Sequence, residues 1–222
     1  MNMIDTNTIR HGLKLLTRGC AVMLVNMLVN LAVAHRFVNA FVHNSGGNVT
    51  VINVVVFVPL VLFGLGAVAS VFFVKSFEVF SRVESLNIVV IRRIDYPLAL
   101  SNLPLAIMLS LIYYPSPIAT MYVLISSQPM STFSQLSVID IVCFVILMAS
   151  TIMLGAFIIT FLVEIYKLRK VLGTPWAISA IMSITSGIIT TIFVNTEIGY
   201  ILQAIGFTTL LIASHRYFTK QT

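Results

Sequence analysis

Residues 51–93 read VINVVVFVPLVLFGLGAVASVFFVKSFEVFSRVESLNIVVIRR, and the change of character at Lys75 decides the fold. From Val51 to Val74 no side chain is charged. At about 1.5 Å per helical residue such a run is long enough to cross the ~30 Å hydrocarbon core of a bilayer. Lys75, Arg82, Arg92 and Arg93 then follow. Lysine and arginine are retained on the cytoplasmic side during insertion, so an apolar run discharging into this basic connection reads as a span that ends inside.

The same alternation recurs along the chain. Arg10, Lys14 and Arg18 precede or open the first apolar run, Lys167, Arg169 and Lys170 follow the fourth, and Arg216 and Lys220 follow the last. Of the 13 lysines and arginines only Arg36 falls on the opposite side. One topology satisfies this pattern: an all-α, polytopic transmembrane helical bundle with six spans and both termini cytoplasmic. The expected spans are about 14–37, 51–74, 97–114, 138–163, 175–195 and 197–215, within a single transmembrane domain over 1–222. The composition agrees, since 59% hydrophobic and 9% charged residues exclude a soluble domain, whose charged fraction is typically ~25%. The net charge of +6 belongs almost entirely to the inner connections. It argues for a multi-pass protein of the cell membrane with the lipid bilayer as its surroundings, not for nucleic acid as a partner.

The tails and connections carry little chemistry. Cys20 and Cys143 are expected at opposite ends of their spans, roughly 30 Å apart, too far for a disulfide. His11, His35, His43 and His215 are scattered over tails and one outer loop, so no metal or cofactor is expected. The run Gly19–Ala34 with its Ala32-x-Ala34 step resembles a signal peptide, but Asn26 and Asn30 inside it favour a retained span. Asn48-Val49-Thr50 forms a glycosylation acceptor triplet in the first outer loop.

Two stretches between spans are unusual. Over 76–91, Val79, Phe80, Val83, Leu86 and Val90 share one helical face opposite Glu78, Ser81, Arg82 and Ser85, which predicts an amphipathic cytoplasmic helix. It would either lie along the inner headgroups or dock a partner subunit through Phe80, Arg82, Val83, Leu86, Arg92 and Arg93. Between Asp95 and Asp140 there is no charge, and Pro115 and Pro117 after Tyr113-Tyr114 stop the third span. The apolar remainder, 117–127, is a re-entrant or interfacial segment, or else the third span continues through a proline kink.

Structural roles are available for the remaining charged groups. Ser137-Val138-Ile139-Asp140 has capping-box spacing, Glu164 stands three residues before Lys167 as for a helix-surface ion pair, and Glu197 suits the start of the sixth helix. Gly173-Thr174-Pro175 ends the basic loop and starts the fifth span.

The polar residues inside spans are the candidates for a pathway or for helix packing. On the fifth span Ser179, Ser183, Gly187, Thr191 and Asn195 recur every four residues, a small and polar stripe that lets helix backbones approach or lines a hydrated passage. Asn26, Asn30 and Gln203 are the amides well inside spans, where an unpartnered polar group costs several kcal/mol, order of magnitude.

No membrane-enzyme signature is present: there is no His-Glu-x-x-His, no Gly-x-Ser-x-Gly, no phosphate loop and no pair of carboxylates inside a span. The expected layout, with internal termini and an amphipathic helix between the second and third spans, resembles the permease halves of ABC-2-type exporters. That resemblance is of architecture and carries no functional residue. It implies a membrane subunit of a transport or export system whose engine is a partner protein. The competing expectations are a structural or assembly subunit of a larger membrane complex and, lower, an intramembrane enzyme acting on lipid.

Overall fold

The computed structural model describes residues 3–43, 49–101, 103–104, 138–193 and 196–219. Among these there are helices and no strands. The helices are α1 (Met3–His43), α2 (Val49–Phe80), α3 (Arg92–Leu100), α4 (Val138–Lys167), α5 (Arg169–Leu172), α6 (Thr174–Phe193) and α7 (Thr196–Thr219), with a short 3₁₀ turn at Glu84–Leu86. Four segments are long and apolar enough to cross a membrane: Thr6–Ala32, Phe63–Phe80, Met148–Lys167 and Glu197–Thr219. The expected third span beyond residue 104 and the segment 117–127 lie outside the described residues.

Two antiparallel hairpins, α1 with α2 and α6 with α7, form the body of the bundle and meet where α1 packs on α7. In lipid no hydrophobic force draws apolar helices together, so close shape fit and interhelical hydrogen bonds must do so. Glycine supplies the fit. Gly12 lies under the Phe80 ring and Gly19 under the Phe73 ring, and a Cβ at either would come within 2.7 and 2.5 Å of its ring. The two pairs, seven residues apart on each strand of the hairpin, set an antiparallel register. The Ser76 hydroxyl donates to the Gly12 carbonyl oxygen at 2.8 Å and fixes it.

The second hairpin repeats the device. Gly187 faces Gly199 and Gln203, Gly199 faces Thr191, and Gly206 faces Ile184 and Ala180. A Cβ at Gly187 or Gly199 would stand within 2.7 Å of the opposite backbone, so these helices touch main chain to main chain.

The start of α1, the end of α2 and the end of α7 share one end of the bundle, as Gly12 against Phe80 and the Arg10 guanidinium over Phe218 show. Arg216 lies over the Trp176 ring at 4.5 Å, which brings the start of α6 to the same end. The basic clusters are therefore gathered there, and that end is called the basic end below. Buried core residues run from it toward mid-bundle, with Cys20 fully enclosed.

Residues 76–91 do not form the expected amphipathic helix. α2 continues to Phe80, and the chain then turns, makes one 3₁₀ turn and runs irregularly to Ile91. Asn87 adopts left-handed backbone (φ 51°) and four β-branched residues, Ile88 to Ile91, follow it, a sequence that disfavours helix. Of the apolar side chains identified by the helical pattern, Phe80, Val83 and Leu86 are still buried in the core, while Val79 and Val90 are half-buried. The helix shared with ABC-2-type permeases in outline is thus absent. α3 also begins at Arg92, earlier than the expected 97, with the Ile91 amide donating to Asp95 Oδ2 at 2.6 Å. Gly173, with φ 91°, separates α5 from α6 at the expected position.

Candidate functional site

Asn26, Asn30 and Gln203, the three amides singled out in the sequence, line a single cavity of about 260 Å³. α1 contributes the two asparagines, α7 contributes Gln203 with Tyr200 and Phe207, and α2, α4 and α6 supply mostly apolar walls. Asn26 and Gln203 are buried and Asn30 is half-buried.

The amides are incompletely satisfied among the described residues. Asn30 Nδ2 donates to the Asn26 carbonyl oxygen at 2.9 Å, one turn back, and approaches Asn26 Oδ1 at 3.4 Å. Asn26 Nδ2 has only a long contact, 3.9 Å, with Met23 Sδ, a weak acceptor. Gln203 Nε2 donates across the hairpin to Thr191 Oγ1 at 3.0 Å, while no described group donates to its Oε1.

An aromatic cluster closes the other end of the cavity. The Phe73 and Phe161 ring centroids are 4.6 Å apart, and Phe207 lies 6.0 Å from Phe73 and 6.1 Å from Phe161. Helices α2, α4 and α7 meet there, with Phe77 6.0 Å from Phe161.

The expected stripe on the fifth span divides. Gly187 and Thr191 face α7, but Ser179 is exposed and Ser183 half-buried, and neither lines the cavity. A four-residue repeat advances about 40° per step around a helix of 3.6 residues per turn, so the stripe cannot stay on one face. Asn195 lies outside the described residues. The expected docking set divides too: Phe80, Val83 and Leu86 are buried, leaving Arg82, Arg92 and Arg93 exposed. Arg92 is ion-paired with Glu78, whose Oε2 also accepts from the Tyr96 hydroxyl at 3.2 Å, so this cluster ties α3 to the end of α2. Burial, and then the Glu78 carboxylate, hold the Tyr96 phenol above its ordinary pKa.

Glu164 and Lys167 form the expected pair, at 2.7 Å. It is not a surface pair, because the Glu164 side chain is only 6% exposed. Glu164 lines a small crevice with Phe77, Val90, Thr160 and Asp95, and its Oε2 is buried with no hydrogen-bond partner among the described residues. Helical spacing revealed the pair but could not reveal that the segment before α3 folds over it.

Sequence reading missed Tyr200 and Ser70 on the cavity wall and the aromatic floor. Tyr200 was accessible, since it stands one turn before Gln203, whereas the meeting of Phe73, Phe161 and Phe207 joins residues far apart in the chain. Among the described residues no three His, Cys, Asp or Glu side chains come together as a metal would require.

Fold and site together define a helical membrane protein with a largely apolar, partly open cavity between its helices. No known family matches the chain, and no curated protein or solved structure is similar to it.

Proposed function

We propose that this chain is an integral membrane subunit of a transport or export system, permease-like, with six spans, both termini cytoplasmic, and its engine supplied by a partner. One observation carries the reading. Asn26 and Asn30 of α1 converge with Gln203 of α7 on a partly open cavity between the helices, and among the described residues their hydrogen-bonding capacity is only partly used there. Polar groups are costly in hydrocarbon, and a chain that needed only to pack its helices would pair the α1 asparagines with Gln203 across the bundle. Placed around a cavity, they suit a molecule that occupies it in passing. The exposed Arg82 and Arg93, at the basic end, are the surface left for a cytoplasmic partner once Phe80, Val83 and Leu86 are buried.

The test is co-purification of the intact chain from native membrane nanodiscs, followed by flux in liposomes. A nucleotide-hydrolysing partner that is lost on charge reversal at Arg82 and Arg93 supports the reading. Recovery with other membrane subunits, and no flux, overturns it in favour of an assembly role. That second reading has an observation of its own: the Gly187–Thr191–Gln203 contact consumes part of the polar stripe in packing.

A further inference from the structure

The cavity has a direction. Asn26 lies seven residues beyond Gly19, which packs on Phe73, so the asparagine is about 10 Å farther from the basic end than the aromatic floor. On α7, which runs toward the basic end, Gln203 precedes Phe207 by one turn, about 6 Å in the same sense. Two helices of different hairpins thus place the three amides at one end of the cavity, where Phe63 also stands, and the cluster of Phe73, Phe161 and Phe207 at the other. None of the lining residues is acidic, basic or histidine. A charged group held there would be unpaired in hydrocarbon, which is prohibitive. The volume, about 260 Å³, far exceeds the ~30 Å³ share of a water molecule and approaches the ~300 Å³ lower range of small-molecule pockets.

We infer that the cavity binds an uncharged, single-tailed amphiphile, with a carbonyl- or hydroxyl-bearing head against Asn26 and Gln203 and its tail directed onto Phe73, Phe161 and Phe207. The amides supply both an acceptor, Gln203 Oε1, and an N–H of Asn26, so either head chemistry is met. The inference rests on the proposed transport reading only in naming what would be carried; the binding itself stands on the cavity.

The experiment uses the full chain in phosphatidylcholine nanodiscs and a monoacylglycerol carrying a diazirine at the end of its tail. The comparison probe is a lysophosphatidate with the same tail, which differs in its charged head. Photolabelling by the uncharged probe should fall on peptides containing Phe73, Phe161 or Phe207, at least about tenfold above the charged one. Excess unlabelled monoacylglycerol should compete it away on the unsubstituted chain. Ile188→Trp, which fills the cavity, should abolish it, and Asn26→Leu should weaken it severalfold. Equal labelling by the two probes overturns the inference, as does labelling confined to the exposed α4 face at Ile152, Ile159 and Val163. Labelling without flux would leave the binding site standing and remove the transport reading, and flux without labelling would do the reverse.

Discussion

Gln203 donates its amide to the Thr191 hydroxyl at 3.0 Å, and that hydroxyl in turn donates to the Gly187 carbonyl oxygen at 2.8 Å. With its one proton committed to Gly187, the Thr191 oxygen acts toward Gln203 as an acceptor. This fixes the orientation of the Gln203 amide and leaves its oxygen free of described donors. Thr191→Val should therefore lower stability by about 0.6 kcal/mol, at most about 2, as for interhelical hydrogen bonds in other membrane bundles. A double-mutant cycle with Gln203→Leu, read by reversible unfolding in mixed micelles, should show coupling of that size. Strict additivity would show that the bond contributes nothing.

Glycines of the bundle should respond in opposite ways according to what faces them. At Gly187 and Gly199 a new Cβ meets opposing backbone within 2.7 Å, so alanine must part α6 from α7 and cost about 1–3 kcal/mol. Among the described residues, nothing lies within 4 Å of a new Cβ at Gly64 or Gly155. Alanine there should be neutral or stabilise by up to about 1 kcal/mol through helix propensity. Thermal unfolding of the four single variants separates the groups.

Gly19→Ala drives a methyl group into the Phe73 ring, which is fully buried and stacked among other rings. A loss of about 1–3 kcal/mol is expected. Phe73→Leu alone opens space and costs stability of its own, but combined with Gly19→Ala the total should be less than the sum. Additive losses would mean that the two residues do not share the contact.

Much of this was legible beforehand. Membrane character, the basic clusters, the Gly173 break and the singling out of Asn26, Asn30 and Gln203, which the structure places on one cavity, all follow from side-chain chemistry and spacing within one segment. What was misread at 76–91 shows the limit of helical periodicity. The pattern correctly marked Phe80, Val83 and Leu86 as inward, yet burial does not require a helix, and Asn87 with four β-branched residues after it argued against one. The fate of Ser179 was lost for a different reason, because a stripe drawn with period four ignores the rotation of a 3.6-residue helix. Depth in the bundle, as for Glu164, depends on a distant segment and leaves no local trace.

The Glu164–Lys167 pair tests that depth. Lys167→Met removes the one described partner of a buried carboxylate and should destabilise by about 3 kcal/mol. Glu164→Gln, which keeps the shape without the charge, should cost less, and the double variant should recover most of the loss. Chemical denaturation at neutral pH in detergent distinguishes these outcomes. A Lys167→Met variant as stable as the parent would show the carboxylate to be well solvated.

The contact between α1 and α7 joins the first described helix to the last. Each hairpin is local in sequence and can close as soon as its second helix has left the ribosome. The cavity cannot, because its wall is shared between Asn26 and Gln203. At about 5–20 residues per second, synthesis leaves an interval on the order of ten seconds between completion of α2 and arrival of α7. During that time the polar face of α1 waits in the membrane without its counterpart, exposed to lipids and to any assembly factor that recognises an unfinished helix pair. A ribosome stalled before Gln203 would hold the protein in that state, with one hairpin formed and the cavity unbuilt.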